Sequence, residues 1–208
     1  MSGATTTNLQ DYLEADEVID WHHPDILAQA KQLSFGQITS AAIAQRCFEW
    51  VRDNIFHSVD YQMNPVTCKA SEVLRYETGY CYAKSHLLAA LLRANGIPAG
   101  FCYQRLSIDD KGAPYSLHGF NAIYLEDIGW YRVDARGNRE GVNAQFTPPI
   151  EQLAFTIQFS EEADFSTIFP KPSVGVVEAL QAHSIWSEML CNLPDISLEA
   201  AAKEGFFQ

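Results

Sequence analysis

The chain has 208 residues, 47% hydrophobic and only 19% charged, a balance that suits one globular domain with a substantial core and excludes a disordered polypeptide. A formal net charge of −12 without any basic stripe argues against nucleic acid, and no apolar run approaches the roughly 20 residues that span a bilayer. The start, residues 1–7, lacks the basic and apolar regions of a secretory leader, and five scattered cysteines read as reduced thiols of a cytoplasmic protein.

Residues 1–37 read as an N-terminal strap packed on the core, with Trp21 as its anchor and a helical pattern running to Phe35-Gly36. Residues 38–140 form the expected core. Thr39 or Ser40 caps a helix in which Ile43, Cys47, Trp50 and Val51 recur at helical spacing, ending near Asn54. A polar connection, 61–65, leads to a short helix over 71–76 and then to the Thr78-Gly79 turn. The central helix runs from Cys81 to Ala94 with Leu87, Leu88, Leu91 and Leu92 as its buried stripe, closed by Asn95-Gly96 and barred from continuing by Pro98. Strands are predicted over 99–106, 117–125 and 130–134, with an exposed turn at 109–112.

Residues 141–208 read as an extension. Leu153, Phe155, Ile157 and Phe159 alternate with Ala154, Thr156 and Gln158, which predicts a half-buried strand. Ser173 is placed to cap a final helix of about 18 residues ending before Asn192. Phe206 and Phe207 in the tail would be out of place in free solvent.

Three polar residues stand where a thiol enzyme needs them. Cys81 follows a glycine turn at the start of a helix, where unpaired N–H groups and the positive end of the helix dipole favour the thiolate. His118 opens one alternating run and Asp134 closes the next. Their separation of 16 positions lets both side chains share one face of a hairpin if its loop, near 126–129, holds an odd number of residues. An imidazole beside a carboxylate fixes the ring tautomer and stabilises its cation, which equips a base for a neighbouring nucleophile.

The stretches Gly79-Tyr80-Cys81, 91–100, His118-Gly119-Phe120 and 129–134 together resemble the transglutaminase-like (papain-like thiol) superfamily. That resemblance implies an α+β fold, a helical half carrying the cysteine packed on an antiparallel sheet carrying the histidine and the aspartate. It also implies a Cys81-His118-Asp134 triad acting through an acyl-enzyme thioester, on the pattern of bacterial-type transglutaminase-like cysteine peptidases. The best-known members follow the histidine with Ala-Trp and the aspartate with Pro, where this chain has Gly119-Phe120 and Ala135. The first helical N–H supplies one oxyanion donor; the resemblance implies a second from an upstream side chain, with Tyr61 and Gln62 as candidates.

Tyr80, Tyr82 and Trp130 are expected to wall a groove for a peptide or protein amide. Hydrolysis is the favoured outcome, with amine transfer to glutamine and a catalytically silent binding protein as the alternatives. His86 is a rival to His118, but five helical residues turn it roughly 140° from Cys81. Lys84, one turn into the helix, reads as a solvated amine in preference to one that lowers the thiol pKa, and Cys47 as a small hydrophobe. No cofactor or metal is expected: His22, His23 and His57 lack ligand spacing, Asp109-Asp110 is no calcium loop, and Gly137 and Gly141 form no phosphate loop.

Overall fold

The computed structural model describes residues 8–207, so the polar segment 1–7 and Gln208 lie outside the described residues. Three amphipathic helices surround a central one. Helix α1 (Pro24–Ser34) turns Ile26, Ala30 and Leu33 inward. Helix α2 (Ser40–Asn54) starts where the Thr39 hydroxyl accepts the Ala42 N–H at 3.2 Å, and it buries Ala44, Cys47, Phe48 and Val51. Two-residue strand β1 (Phe56–His57) follows, then α3 (Ala70–Tyr76), whose Glu72 carboxylate reaches back to the Cys68 and Lys69 N–H groups at 3.1 Å. Strand β2 (Thr78–Gly79) pairs in parallel with β1, Phe56 beside Thr78 and His57 beside Gly79.

Helix α4 (Cys81–Ala94) has the bounds that the sequence pattern indicates, but its burial exceeds the expected stripe. Every residue from Cys81 to Arg93 is buried, because α1, α2 and α3 pack on it from one side and the sheet from the other. Its polar residues therefore need internal partners. Arg93 donates to the Ala99, Glu14 and Pro170 carbonyls, and Asn121 of the sheet donates to Ser85 O and Gly100 O, joining helix and sheet. Lys84 departs from the solvated reading: its amine is fully buried and caps the end of α2, donating to Ile55 O and, at 3.3 Å, to Arg52 O.

The sheet is antiparallel in the order β5-β4-β3-β6, from β3 (Ala99–Ser107), β4 (Tyr115–Leu125), β5 (Gly129–Val133) and β6 (Ala163–Asp164). The strand expected over 153–159 does not form, and β6 takes the edge of β3 in its place. Backbone groups of that segment are drawn to carboxylates instead of a ladder: Ala154 N–H to Asp134, and Gln158 and Phe159 N–H to Glu162. The expected final helix is broken into α5 (Val174–Ala182) and α6 (Trp186–Leu190). Between them Ser184 O accepts the Val66 N–H and Asn64 Oδ1 accepts the Trp186 N–H, tertiary bonds that a continuous helix would forfeit.

After α7 (Leu198–Lys203), Phe206 inserts among Tyr103, Phe165 and Phe169, which accounts for the apolar tail. At the other end Trp21 is only partly buried, its indole N–H on Leu13 O, while Tyr12, Ile19 and Ile26 fill the deeper positions of the strap.

Candidate active site

Cys81 owes its place to a glycine. A Cβ at Gly79 would lie 3.0 Å from the Ala83 Cβ and 3.2 Å from the Thr67 hydroxyl, so glycine lets β2 turn straight into α4 without crowding. Tyr80 is the extended N-cap, and Cys81 is the first helical residue, with an N–H that has no acceptor within the helix.

The β4–β5 register ends its loop at Leu125 and Gly129, leaving Glu126, Asp127 and Ile128 between them, the odd number that the parity requires. Because Asn121 faces Val133, the next position brings Asp134 opposite Phe120 and makes His118 its diagonal neighbour on the same face. His118 Nε2 meets Asp134 Oδ2 at 2.7 Å. The carboxylate also accepts the Ala154 N–H at 3.2 Å and the Arg136 N–H at 3.1 Å, so its orientation is held from three directions.

With Nε2 committed to Asp134, Nδ1 is the nitrogen left for the thiol of Cys81, the other group acting on this ring. Burial opposes a charge on His118, yet Asp134 and Cys81 outweigh it and push the imidazole up to about 10. Burial alone would raise Asp134; the facing imidazole and the two backbone N–H groups hold it below the usual carboxylate range. The site therefore favours the protonated ring, which lies between Asp134 and Cys81.

Gly119 makes the approach of α4 feasible. A Cβ there would sit 2.8 Å from Tyr82 Cδ1, inside any normal contact, and 3.4 Å from Tyr82 Cα. Tyr82, wholly buried, donates its hydroxyl to Leu117 O, and Tyr80 donates to Trp186 O of the extension. Phe155 stands edge-on to the His118 ring at 4.9 Å, and the Arg136 guanidinium lies over Phe155 at 5.7 Å. These groups line a cavity of about 230 Å³ that opens on Cys81 and His118.

Residues 28–135, more than half of the chain, match the family model of the transglutaminase-like superfamily. The chain belongs to that superfamily. No curated protein matches it significantly. Among solved structures it is similar to a candidate cysteine protease from Cytophaga hutchinsonii (21% identity, 62% of this chain and 42% of that one, TM-score 0.49). It is also similar to the periplasmic domain of TgpA from Pseudomonas aeruginosa (19% identity, 62% and 48%, TM-score 0.45). The chain spans less than half the length of either.

Of the residues expected at the site, Cys81, His118, Tyr80 and Tyr82 line one cavity, with Asp134 directly behind His118. Tyr61 and Gln62 are elsewhere: Tyr61 is exposed against Phe56 beside a second cavity of about 130 Å³, and Gln62, also exposed, lines neither cavity. Trp130 packs on Tyr12 and Tyr124, in the cluster of Cys102 and Phe120, and does not line the cavity. His86 is turned away as its spacing implies, with Nδ1 on Cys68 O.

Among the cavity residues that the sequence reading does not name as site residues are His57, Asp60, Arg136 and Phe155. Arg136 grips Asp60 in a fork at 2.5 and 2.9 Å. His57 is held well below the usual imidazole range, first by burial and then by the cations Arg136, Lys84, His118 and Arg139. Its strand is two residues long, too short for any periodicity to announce, and the histidine there could be weighed only as a metal ligand.

Proposed function

We propose that the protein is a thiol-dependent hydrolase of peptide or protein amides, working through a thioester on Cys81. The thiolate attacks the amide carbonyl carbon, forming a C–S bond and moving the carbonyl electrons onto oxygen. As the tetrahedral species collapses, the C–N bond breaks and the departing amine takes the proton of His118 Nδ1. Asp134 keeps the ring oriented through Nε2 and stabilises its charge. Water then gives a proton to the neutral imidazole, attacks the thioester and releases the acid and Cys81.

The observation that carries this reading is the 2.7 Å contact of His118 Nε2 with a buried, triply bonded Asp134, on a ring whose other nitrogen is left for the thiol. Water as the resolving nucleophile is supported by the polar lining from Ser107, Ser116, Thr156 and Gln158, and by Trp130 lying outside the cavity. Tyr80, Tyr82, Leu190 and Leu193 offer apolar surface for the side chains of a peptide. All five cysteines are free, which suits the reducing cytoplasm.

A peptide ester and mass mapping test the reading: an acyl group trapped on Cys81 and acid as the main product are expected. Amide product dominating in millimolar primary amine makes the protein a transamidase. A Cys81 inert to both the ester and iodoacetamide makes it a binding protein and overturns the assignment.

A further inference from the structure

We propose that His57 is a further catalytic residue, donating its Nε2 hydrogen to the carbonyl oxygen that becomes negative when Cys81 attacks. The inference rests on the thiol chemistry proposed for Cys81 and adds to it the second donor, alongside the Cys81 N–H, that the developing charge requires.

Position comes from the pairing of β1 with β2. His57 is beside Gly79, two residues before Cys81, and its ring stands edge-on to Tyr80 at 5.9 Å, lining the same cavity as Cys81 and His118. Buried imidazoles are normally hydrogen-bonded, yet this one, 7% exposed, has no partner at either nitrogen among the described residues. Nδ1 is 3.8 Å from Asp60 Oδ1, beyond bonding distance, and both oxygens of Asp60 are taken by the Arg136 fork. Nδ1 is the nitrogen shut away without a partner, which leaves Nε2 as the one that a ligand atom in the cavity can meet.

The surroundings also set its protonation. Burial and the cations Arg136, Lys84, His118 and Arg139 favour the neutral ring, which keeps one proton. Both Asp60 oxygens are already held by Arg136 and no hydrogen bond fixes the proton on Nδ1, so we place it on Nε2. A neutral donor suits the site, since it polarises a carbonyl without competing with His118 as the acid. Tyr61 and Gln62 cannot serve, because neither lines the cavity.

The test separates carbonyl chemistry from thiol reactivity. Alkylation of Cys81 by iodoacetamide creates no oxyanion, whereas acylation by a peptide ester and capture of a peptide aldehyde both do. His57→Phe is expected to leave the alkylation rate unchanged and to lower acylation and aldehyde affinity by roughly 10²–10³-fold. His57→Gln, which returns an N–H of similar reach, should recover part of the loss. If the phenylalanine variant does not fold, His57→Leu against His57→Gln makes the same comparison. Equal acylation with and without the donor overturns the proposal, as does a parallel fall in alkylation and acylation, which would mean that His57 only positions the thiol. Should wild-type Cys81 neither alkylate nor acylate, the thiol-enzyme reading has failed and His57 falls with it.

Discussion

Replacing Asp134 with asparagine isolates the charge behind His118. The amide is nearly isosteric, but all three groups on the carboxylate are donors: His118 Nε2–H and Ala154 N–H on Oδ2, Arg136 N–H on Oδ1. Whichever way the amide is turned, its NH₂ meets an N–H, and at least one buried donor is left unsatisfied at a cost of about 1–3 kcal/mol. The larger consequence is electrostatic. Burial now acts on His118 without its principal anion, so the imidazole should drop from above its ordinary value to below it.

The cleanest assay is NMR titration of the His118 ring in a Cys81→Ala background, where no thiolate contributes, with and without Asp134→Asn. With Asp134 present the folded value is raised, so the stabilisation is complete below the unfolded value of about 6.5 and is lost as pH rises through the folded one. Within that window stability falls by about 1.4 kcal/mol per pH unit, and the asparagine variant should abolish the slope. On active enzyme, turnover should fall on the order of 10²-fold, less than on removing Cys81. Identical His118 titrations in the two backgrounds would refute the coupling.

Burial pushes Cys47 and Cys68 up to about 12, a thiolate fraction of roughly 10⁻⁵ at neutral pH, so iodoacetamide at pH 7 should modify Cys81 ahead of both; mass mapping that finds Cys68 first sinks the assignment. Gly119→Ala forces a Cβ onto Tyr82 and should cost about 1–3 kcal/mol, read as a lower melting temperature and slower labelling of Cys81. An unchanged melt would mean that α4 does not approach β4 so closely. Burial lowers Lys84 to about 7, so the unfolded chain holds a proton there that the folded one lacks between about 7 and 10.5, and stability gains a rising contribution across that range. Lys84→Met should remove that rise, measured by denaturation at several pH values.

What the sequence reveals of this molecule is what local chemistry controls. The bounds of α4 are legible because a glycine turn opens it and Asn95-Gly96-Ile97-Pro98 closes it. The hairpin is legible because alternation and an odd loop leave one arrangement for His118 and Asp134. Features decided by distant partners are not. The alternation over 153–159 meets Asp134 and Glu162 in place of a strand, and the final helix breaks where Asn64 and Val66 claim its backbone. Lys84 reads as a surface amine until the end of α2 is brought over it.

The same distinction explains how the site is held. Strand β5 stops at Val133, so β4 beyond Asn121 has no neighbour on that side, and the Leu117 N–H donates at 2.7 Å to Pro194 of the extension. Asp134, the first residue past the last pair, is freed from the ladder and turns its carboxylate to His118. The truncated strand thus leaves His118 without a β5 neighbour and frees Asp134 to meet it. Outside the region 28–135 that the family model matches, Ala154 fixes Asp134, Phe155 bounds the imidazole, and Trp186 receives the hydroxyl of Tyr80 next to the thiol. A chain cut after Asp134 would keep Cys81, His118 and Asp134 and lose these contacts, so the extension contributes to the surroundings of the candidate site.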